Sequence, residues 1–240
     1  MRSSLTTLLL PLATLALAAC GGSTSSNGPD GAPGSIDGAV PPTDGPVLTE
    51  RYEPRVVGSV WTYKMTDTTT NTSAVKQSKV EAFEEVGGAH SGTFAYRVRI
   101  EKLNGTTVAY ESYEGDLGVR YAQTDLDLSG ATVDTQSENP YRLKIDETPS
   151  HLANNATYSE NFDETTTNVN GTKTNAKTET WQVVSTAESV TVPAGTYTAL
   201  HLHRTNPTNA KSKDFWFVKG VGKVKEIGGG QDEELMAYTP

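Results

Sequence analysis

The sequence predicts an all-β fold: an antiparallel meander of about ten strands, curled into a half-barrel or open barrel, behind a disordered tether. Three observations lead there. Apolar and polar residues alternate with a period of two in one run after another, the pattern of a sheet with one buried and one solvated face. Turn signals built on Gly and Asn separate these runs at strand-length spacing. No window sustains a 3.6-residue apolar period between helix caps.

The runs can be taken in order. Trp61, Tyr63 and Met65 fall on one face of the first. Phe94, Tyr96, Val98 and Ile100 share a face, with Arg97, Arg99 and Glu101 opposite. Tyr141, Leu143 and Ile145 alternate with Arg142, Lys144 and Asp146, and Leu200 and Leu202 alternate with His201 and His203. Between the runs stand Gly87-Gly88, Asn104-Gly105, Gly115-Asp116, Asn170-Gly171, Pro193-Ala194-Gly195 and Gly228-Gly229-Gly230. "EKLNGTTVAY" is the strongest hairpin signal, because Asn-Gly suits the type I′ turn that matches strand twist. "TPSHLANNATYSE" is read as holding a helical turn, and the polar "FDETTTNVNGTKTNAKTET" as a long exposed hairpin or a loop. Trp61, Trp181, Phe215, Trp216 and Phe217 supply the bulk that a thin core needs.

The N-terminal region reads differently. Arg2 precedes an apolar stretch from Leu5 to Leu17 that is too short to span a bilayer, and small residues follow it, as an export signal requires. Leu17-Ala18-Ala19-Cys20 resembles the lipobox of bacterial lipoproteins. The resemblance implies cleavage between Ala19 and Cys20, diacylation of the Cys20 thiol and acylation of the new amino group. Three acyl chains would anchor the protein effectively permanently, since two already suffice. From Gly21 to Pro46 the chain is dominated by Gly, Ser, Pro and Asp, a composition that cannot bury enough surface to fold. About 26 such residues have a root-mean-square reach near 30 Å. The expected organisation is a signal peptide over 1–19, a flexible linker over 20–46 and one β-domain over 47–240.

Cys20 is the only cysteine, so no disulfide framework is available and the domain must rely on its core. The formal charge of −9 carries no basic cluster and argues against nucleic acid as a partner. Gly21, not Asp, follows the cysteine, which by resemblance to enterobacterial sorting favours the outer membrane.

A second resemblance lies in "GSVWTY" and in "VTVPAGTYTALHLHRT", "DFWFVKGVGKVKEI" and "EELMAY". These are similar to a group of uncharacterised bacterial envelope lipoproteins with a Val-Pro-Ala-Gly-Thr-aromatic hairpin, an aromatic strand and a Gly-Val-Gly turn. The likeness covers residues 58–63 and about 188–238. Some members resemble outer-membrane lipoprotein carriers, whose curved half-barrel surrounds an apolar cavity. The long polar insert at 163–180 departs from that pattern. Apart from any resemblance, the proline and glycines are explained as turn formers.

Candidate chemistry is sparse. His201 and His203 stand two apart, so both imidazoles face one way on a strand, but a zinc site needs further ligands that no spacing supplies. Asp125, Asp127 and Ser129 before Gly130 match the first half of a calcium loop, whose twelfth position is Gln136 instead of Glu. Both read better as solvated strand and turn residues. No nucleophile elbow, zinc-protease motif or phosphate-binding loop occurs, and the adjacent carboxylates Glu84/Glu85 and Glu233/Glu234 would face opposite ways on a strand.

The sequence therefore leads to a non-enzymatic envelope lipoprotein with a binding or scaffolding role and no cofactor or resident metal. Its partners would be the membrane, through its acyl chains, and either an apolar ligand or another envelope protein. The alternative is a carrier or sensor of a lipid or acyl chain, with Trp61, Tyr63, Phe94 and Tyr96 lining its cavity. A third reading is a metal-dependent hydrolase built on His201 and His203.

Overall fold

Strand follows strand in the computed structural model, which describes residues 45–240 and contains no helix among them. Cys20, the signal segment and nearly all of the linker lie outside the described residues. The strands are β1 (Val60–Asp67), β2 (Ser73–Gly87), β3 (His90–Lys102), β4 (Gly105–Glu114), β5 (Leu117–Leu126) and β6 (Thr132–Asp146). They continue with β7 (Thr157–Asn168), β8 (Gly171–Val192), β9 (Gly195–Asn206), β10 (Lys211–Val218), β11 (Gly222–Gly228) and β12 (Gln231–Thr239). Each pairs antiparallel with the next, and β1 also pairs with β12 from Val60↔Thr239 to Asp67↔Gln231. The meander is thus a closed barrel of twelve strands, fully shut where a half-barrel or open barrel of about ten was expected. Closure removes both sheet edges, whose unpaired backbone groups would otherwise invite further pairing.

The local expectations fare unevenly. The polar 163–180 stretch is an ordered part of the β7–β8 hairpin, where threonines bond across the strands at Thr165–Thr174 (2.8 Å) and Thr167–Thr172 (2.9 Å). The expected helical turn is limited to one hydrogen-bonded turn, in which the His151 and Leu152 N–H groups both bond the Thr148 carbonyl, and the rest of 147–156 is a series of turns and bends with no helix. The Asn-Gly hairpin exists one residue out of place. Lys102 pairs with Gly105, so the turn residues are Leu103 and Asn104, and neither takes the positive φ of a type I′ turn. At the Gly-Val-Gly turn, Gly222 has φ +104° and passes so close to Trp61 that a Cβ would lie 3.1 Å from its indole nitrogen.

Core side chains gather in two main clusters. One centres on Trp61, Tyr63, Val80, Tyr96, Trp216 and Leu235, the other on Ile145, Trp181, Val183, Leu202, Phe215 and Phe217. On the outward face of β2 and β3, Lys79 pairs with Arg99 and Gln77 with Glu101, alternating with buried Val80 and Val98. That arc of the wall suits water; a lipid-facing barrel strand would present apolar residues there. β6 does not have one wet face: Arg142 and Lys144, read as solvated, line the interior, while Leu143 and Ile145 are also buried. The cause is a register shift between Gly118 and Val119 opposite this segment, which breaks strict alternation.

The two ends of the barrel differ. Both β1 and β12 have their termini at one end, together with the β2–β3, β4–β5, β6–β7, β8–β9 and β10–β11 turns. Residues 45–59 run across this end as a strap. Arg51 bonds Asp116 (2.9 Å) and the Gly115 carbonyl, its own carbonyl accepts the Gly220 N–H, and the Tyr52 N–H bonds Glu147 (2.8 Å). The opposite end, bounded by the β9–β10 and β11–β12 turns, carries no strap among the described residues.

Candidate functional site

The barrel interior is not filled. A cavity of about 370 Å³ lies inside it, lined by side chains from β2 to β6 and β8 to β12 and by Glu53 of the strap. Apolar lining comes from Ile100, Trp181, Phe215 and Phe217. The rest is mostly charged, and where the charges are paired decides what the cavity can do.

At the strapped end the pairing is even. Arg55 of the strap lies between Glu53 (2.9 Å) and Glu111, and Lys144 of β6 reaches Glu111 at 3.0 Å and Glu53 at 3.8 Å. Two cations face two carboxylates. Burial works against the charged form of Glu111, but the Lys144 and Arg55 charges outweigh it and hold its carboxyl well below the ordinary range. Tyr113 completes this floor by donating to Glu147 (2.6 Å) and accepting the Glu53 N–H (3.2 Å). Burial, reinforced by Glu53, pushes its hydroxyl far above the usual value.

Midway up the wall the balance is lost. Glu226 and Glu233 of β11 and β12 are the carboxylates for three lysines: Lys223 bonds both, Lys76 bonds Glu233 (2.7 Å) and Lys213 bonds Glu226. The strain appears in Lys76, whose ammonium is pushed down to about 8 by burial and then by Lys223. Towards the open end, Arg142 and Arg204 share Glu179. Arg142 bonds it at 2.6 Å, whereas Arg204 approaches only to 3.4 Å and donates no side-chain hydrogen bond among the described residues. The Arg204 guanidinium instead lies over the rings of Trp181 (5.2 Å) and Phe215 (5.1 Å). Burial, then Arg142, lowers its pKa to about 10. Arg142, Arg204 and Lys213 also border a second cavity of about 260 Å³, which runs past Asn206 and Lys211 to the exposed β9–β10 turn. These three residues therefore stand where the interior opens to solvent.

Glu160 of β7 sits behind this cluster. Its carboxylate accepts the Leu143 N–H (2.6 Å) and faces Trp181 Nε1 (3.4 Å), and it does not line either cavity. Burial raises its pKa to about 7 despite the Leu143 bond, and Glu179 adds to the rise.

The residues singled out from the sequence line neither of these two cavities, though Trp61 and Tyr63 border a smaller one of about 70 Å³ that shares Glu53, Lys76 and Lys223 with the first. Trp61, Tyr63 and Tyr96 are packed in the core, with the Trp61 indole donating to the Val221 carbonyl (2.5 Å) and the Tyr63 hydroxyl to the Lys223 carbonyl (2.9 Å). Phe94 is 38% exposed, so these four aromatics do not surround one cavity. His201 and His203 do share a face, but both contact Asp214 (2.9 and 3.0 Å), and His201 also bonds Glu188 (2.7 Å) and stacks on Trp216. Asp125 accepts from Thr107 and lies 3.6 Å from Lys102, whereas Asp127 closes its own turn by accepting the Ser129 and Ala131 N–H groups. Among the described residues, no group of three or more His, Cys, Asp or Glu side chains is arranged to hold a metal.

Sequence reading missed the interior cations. Arg120, Arg142, Lys213 and Lys223 look like solvated strand residues. One signal was available: Phe215-Trp216-Phe217 is apolar at three successive positions, so both faces of β10 are buried and Lys213, two before Phe215, must point inward with it.

No family model and no curated protein matches the chain. Among solved structures, it is similar to a candidate lipoprotein from Parabacteroides distasonis, with 13% identity, 79% of this chain and 99% of that one covered, and a TM-score of 0.41. It is also similar to a candidate exported protein with a YmcC-like fold from Bacteroides fragilis, with 11% identity, 77% and 96% covered, and a TM-score of 0.35.

Proposed function

We propose that the protein is a lipid-anchored envelope protein of the outer membrane, whose barrel binds a small polar molecule without transforming it. One observation carries the binding role: a charged cavity inside the barrel, closed by the strap at one end and continuous with solvent past Arg142, Arg204 and Lys213 at the other. Its volume of about 370 Å³ falls at the small end of ordinary ligand sites. The charged lining favours a polar guest over the lipid or acyl chain that a half-barrel carrier would take. The anchoring role rests on Leu17-Ala18-Ala19-Cys20, and the Val-Pro-Ala-Gly-Thr hairpin supports kinship with the envelope lipoprotein group.

The carboxylates near the lumen are already engaged. Glu111, Glu226 and Glu233 are each held by two cations, and Glu160 is turned towards protein donors away from the cavities. None of these is free to move a proton to a guest. Cys20→Ala should shift the protein from the membrane to the soluble fraction or leave it uncleaved; normal membrane partition of that variant would sink the anchoring role. Full-length protein released in mild detergent should show a small polar adduct by native mass spectrometry. A bound acyl lipid would favour the carrier reading instead.

A further inference from the structure

The proposal deepens the binding reading and rests on it. Two independent features of the lumen bear on what the guest is. The first is a count. Three lysines (Lys76, Lys213, Lys223) surround two carboxylates, and two arginines (Arg142, Arg204) share one. Elsewhere in the lumen the pairing is one to one: Arg120 with Glu138, Lys102 with Asp125, and Arg55 and Lys144 with Glu53 and Glu111. With Glu160 holding its proton the surplus is two positive charges, lying between the middle of the wall and its open end in a chain that is acidic overall, at −9. Unneutralised charge in such a space is costly unless a counter-charge joins it.

The second feature is the geometry of Arg204. Its guanidinium carbon lies 5.2 Å from the Trp181 ring centre and 5.1 Å from that of Phe215, it makes no side-chain hydrogen bond among the described residues, and it lines the cavity. The planar fork of N–H donors is therefore placed between the rings and, apart from its 3.4 Å approach to Glu179, has no partner among the described residues. Such a fork matches the paired oxygens of a tetrahedral oxyanion. Lys213, which lines both cavities with Arg204, adds a point charge beside it.

We propose that the lumen binds the phosphate group of a small phosphate monoester, seated on Arg204, Arg142 and Lys213, with the organic part of the guest against Trp181 and Phe215. The doubly charged phosphate matches the surplus, which a single carboxylate would only half neutralise. Glu179 stays with Arg142, so the new contacts fall mainly to Arg204.

The test is isothermal titration of the full-length protein in detergent with inorganic phosphate, phenyl phosphate, sulfate and phenol. The expected result is a Kd at or below about 1 mM for phenyl phosphate, the weak end of specific binding. Inorganic phosphate should bind more weakly, which distinguishes a phosphorylated organic guest from free phosphate. Arg204→Met should weaken phenyl phosphate binding about 10- to 100-fold, as loss of a charge-assisted contact does, and Arg204→Lys should recover part of it. Lys213→Met is a second variant should Arg204→Met fail to fold. No response to any anion, or equal affinity in wild type and Arg204→Met, would overturn the assignment. Stronger binding of sulfate than of phenyl phosphate would also overturn it. A neutral molecule found bound by native mass spectrometry, with no response to phosphate, would leave the binding role standing and remove only the phosphate. An empty lumen by both measurements would remove both.

Discussion

The two ends of the barrel use the same residue types to opposite effect. Under the strap, Arg55 and Lys144 meet Glu53 and Glu111 two against two, and each carboxylate is held between cations. At the open end Arg142 and Arg204 meet one carboxylate, Glu179, and one of the two guanidiniums makes no hydrogen bond to it. The first arrangement satisfies itself and ties a segment to the wall. The second is placed beside aromatic rings and leaves donors facing open space. The difference teaches that buried charge alone does not indicate a site, and that the stoichiometry of its pairing does.

Three changes probe this contrast. The largest effect should come from Glu111→Gln, which leaves buried Arg55 and half-buried Lys144 with Glu53 alone. We expect a loss of about 3–5 kcal/mol by chemical denaturation, the usual consequence of breaking a buried pair from one side. Adding Arg55→Met to it should restore part of the loss, and strict additivity would show that the pair is not coupled. Lowering the pH should act in the same direction. Because Glu111 titrates below its unfolded value, its contribution is present above about 4.5 and fades as the pH falls further.

Glu160→Gln should give an intermediate effect with a distinctive pH dependence. With a pKa raised to about 7, Glu160 keeps its proton in the folded chain where the unfolded chain has lost it. Its stabilising contribution is complete below about 4.5 and is lost as the pH rises through about 7. The variant should match wild type at pH 4.5 and exceed it at pH 8 by on the order of 1–3 kcal/mol. Equal stability at pH 8 would mean that the group ionises without cost. The smallest effect is assigned to Arg204→Met. A guanidinium with no hydrogen bond is replaced by an apolar chain between two rings, so the unfolding free energy from urea denaturation should change by no more than about 1 kcal/mol, towards greater stability. A large loss would place Arg204 with the self-satisfied charges of the strapped end.

The architecture was largely legible in the sequence because alternation and turn residues are local signals. Trp61, Tyr63 and Val98 went where their parity placed them, and the Thr-rich insert formed the expected hairpin. Closure was not legible. It depends on β1 meeting β12, a pairing that no local window contains. The site was hidden for a related reason. Arg142 and Lys144 alternate with Leu143 and Ile145 and so read as surface, whereas Arg204 shares the face of Leu200 and Leu202 and is a charge at a position whose parity points inward. Bulges such as the one near Val119 then shift parity within a strand. The histidine pair shows the opposite error: its same-face spacing is real, but Asp214 and Glu188 take up the imidazole nitrogens.

The β1–β12 seam also governs how the molecule is assembled. Every other pairing joins strands that are consecutive in the chain, so all of these hairpins but β6–β7, whose innermost pair is Asn139↔Asp163, can form as short loops close. Joining Val60 to Thr239 instead requires nearly the whole domain to be present. A chain emerging from a membrane pore N-terminus first would carry an open, curling ribbon with two bare edges until the nine residues of β12 appear. Those residues act as a latch, and the interval before they arrive is when the ribbon is most exposed to pairing with a neighbour.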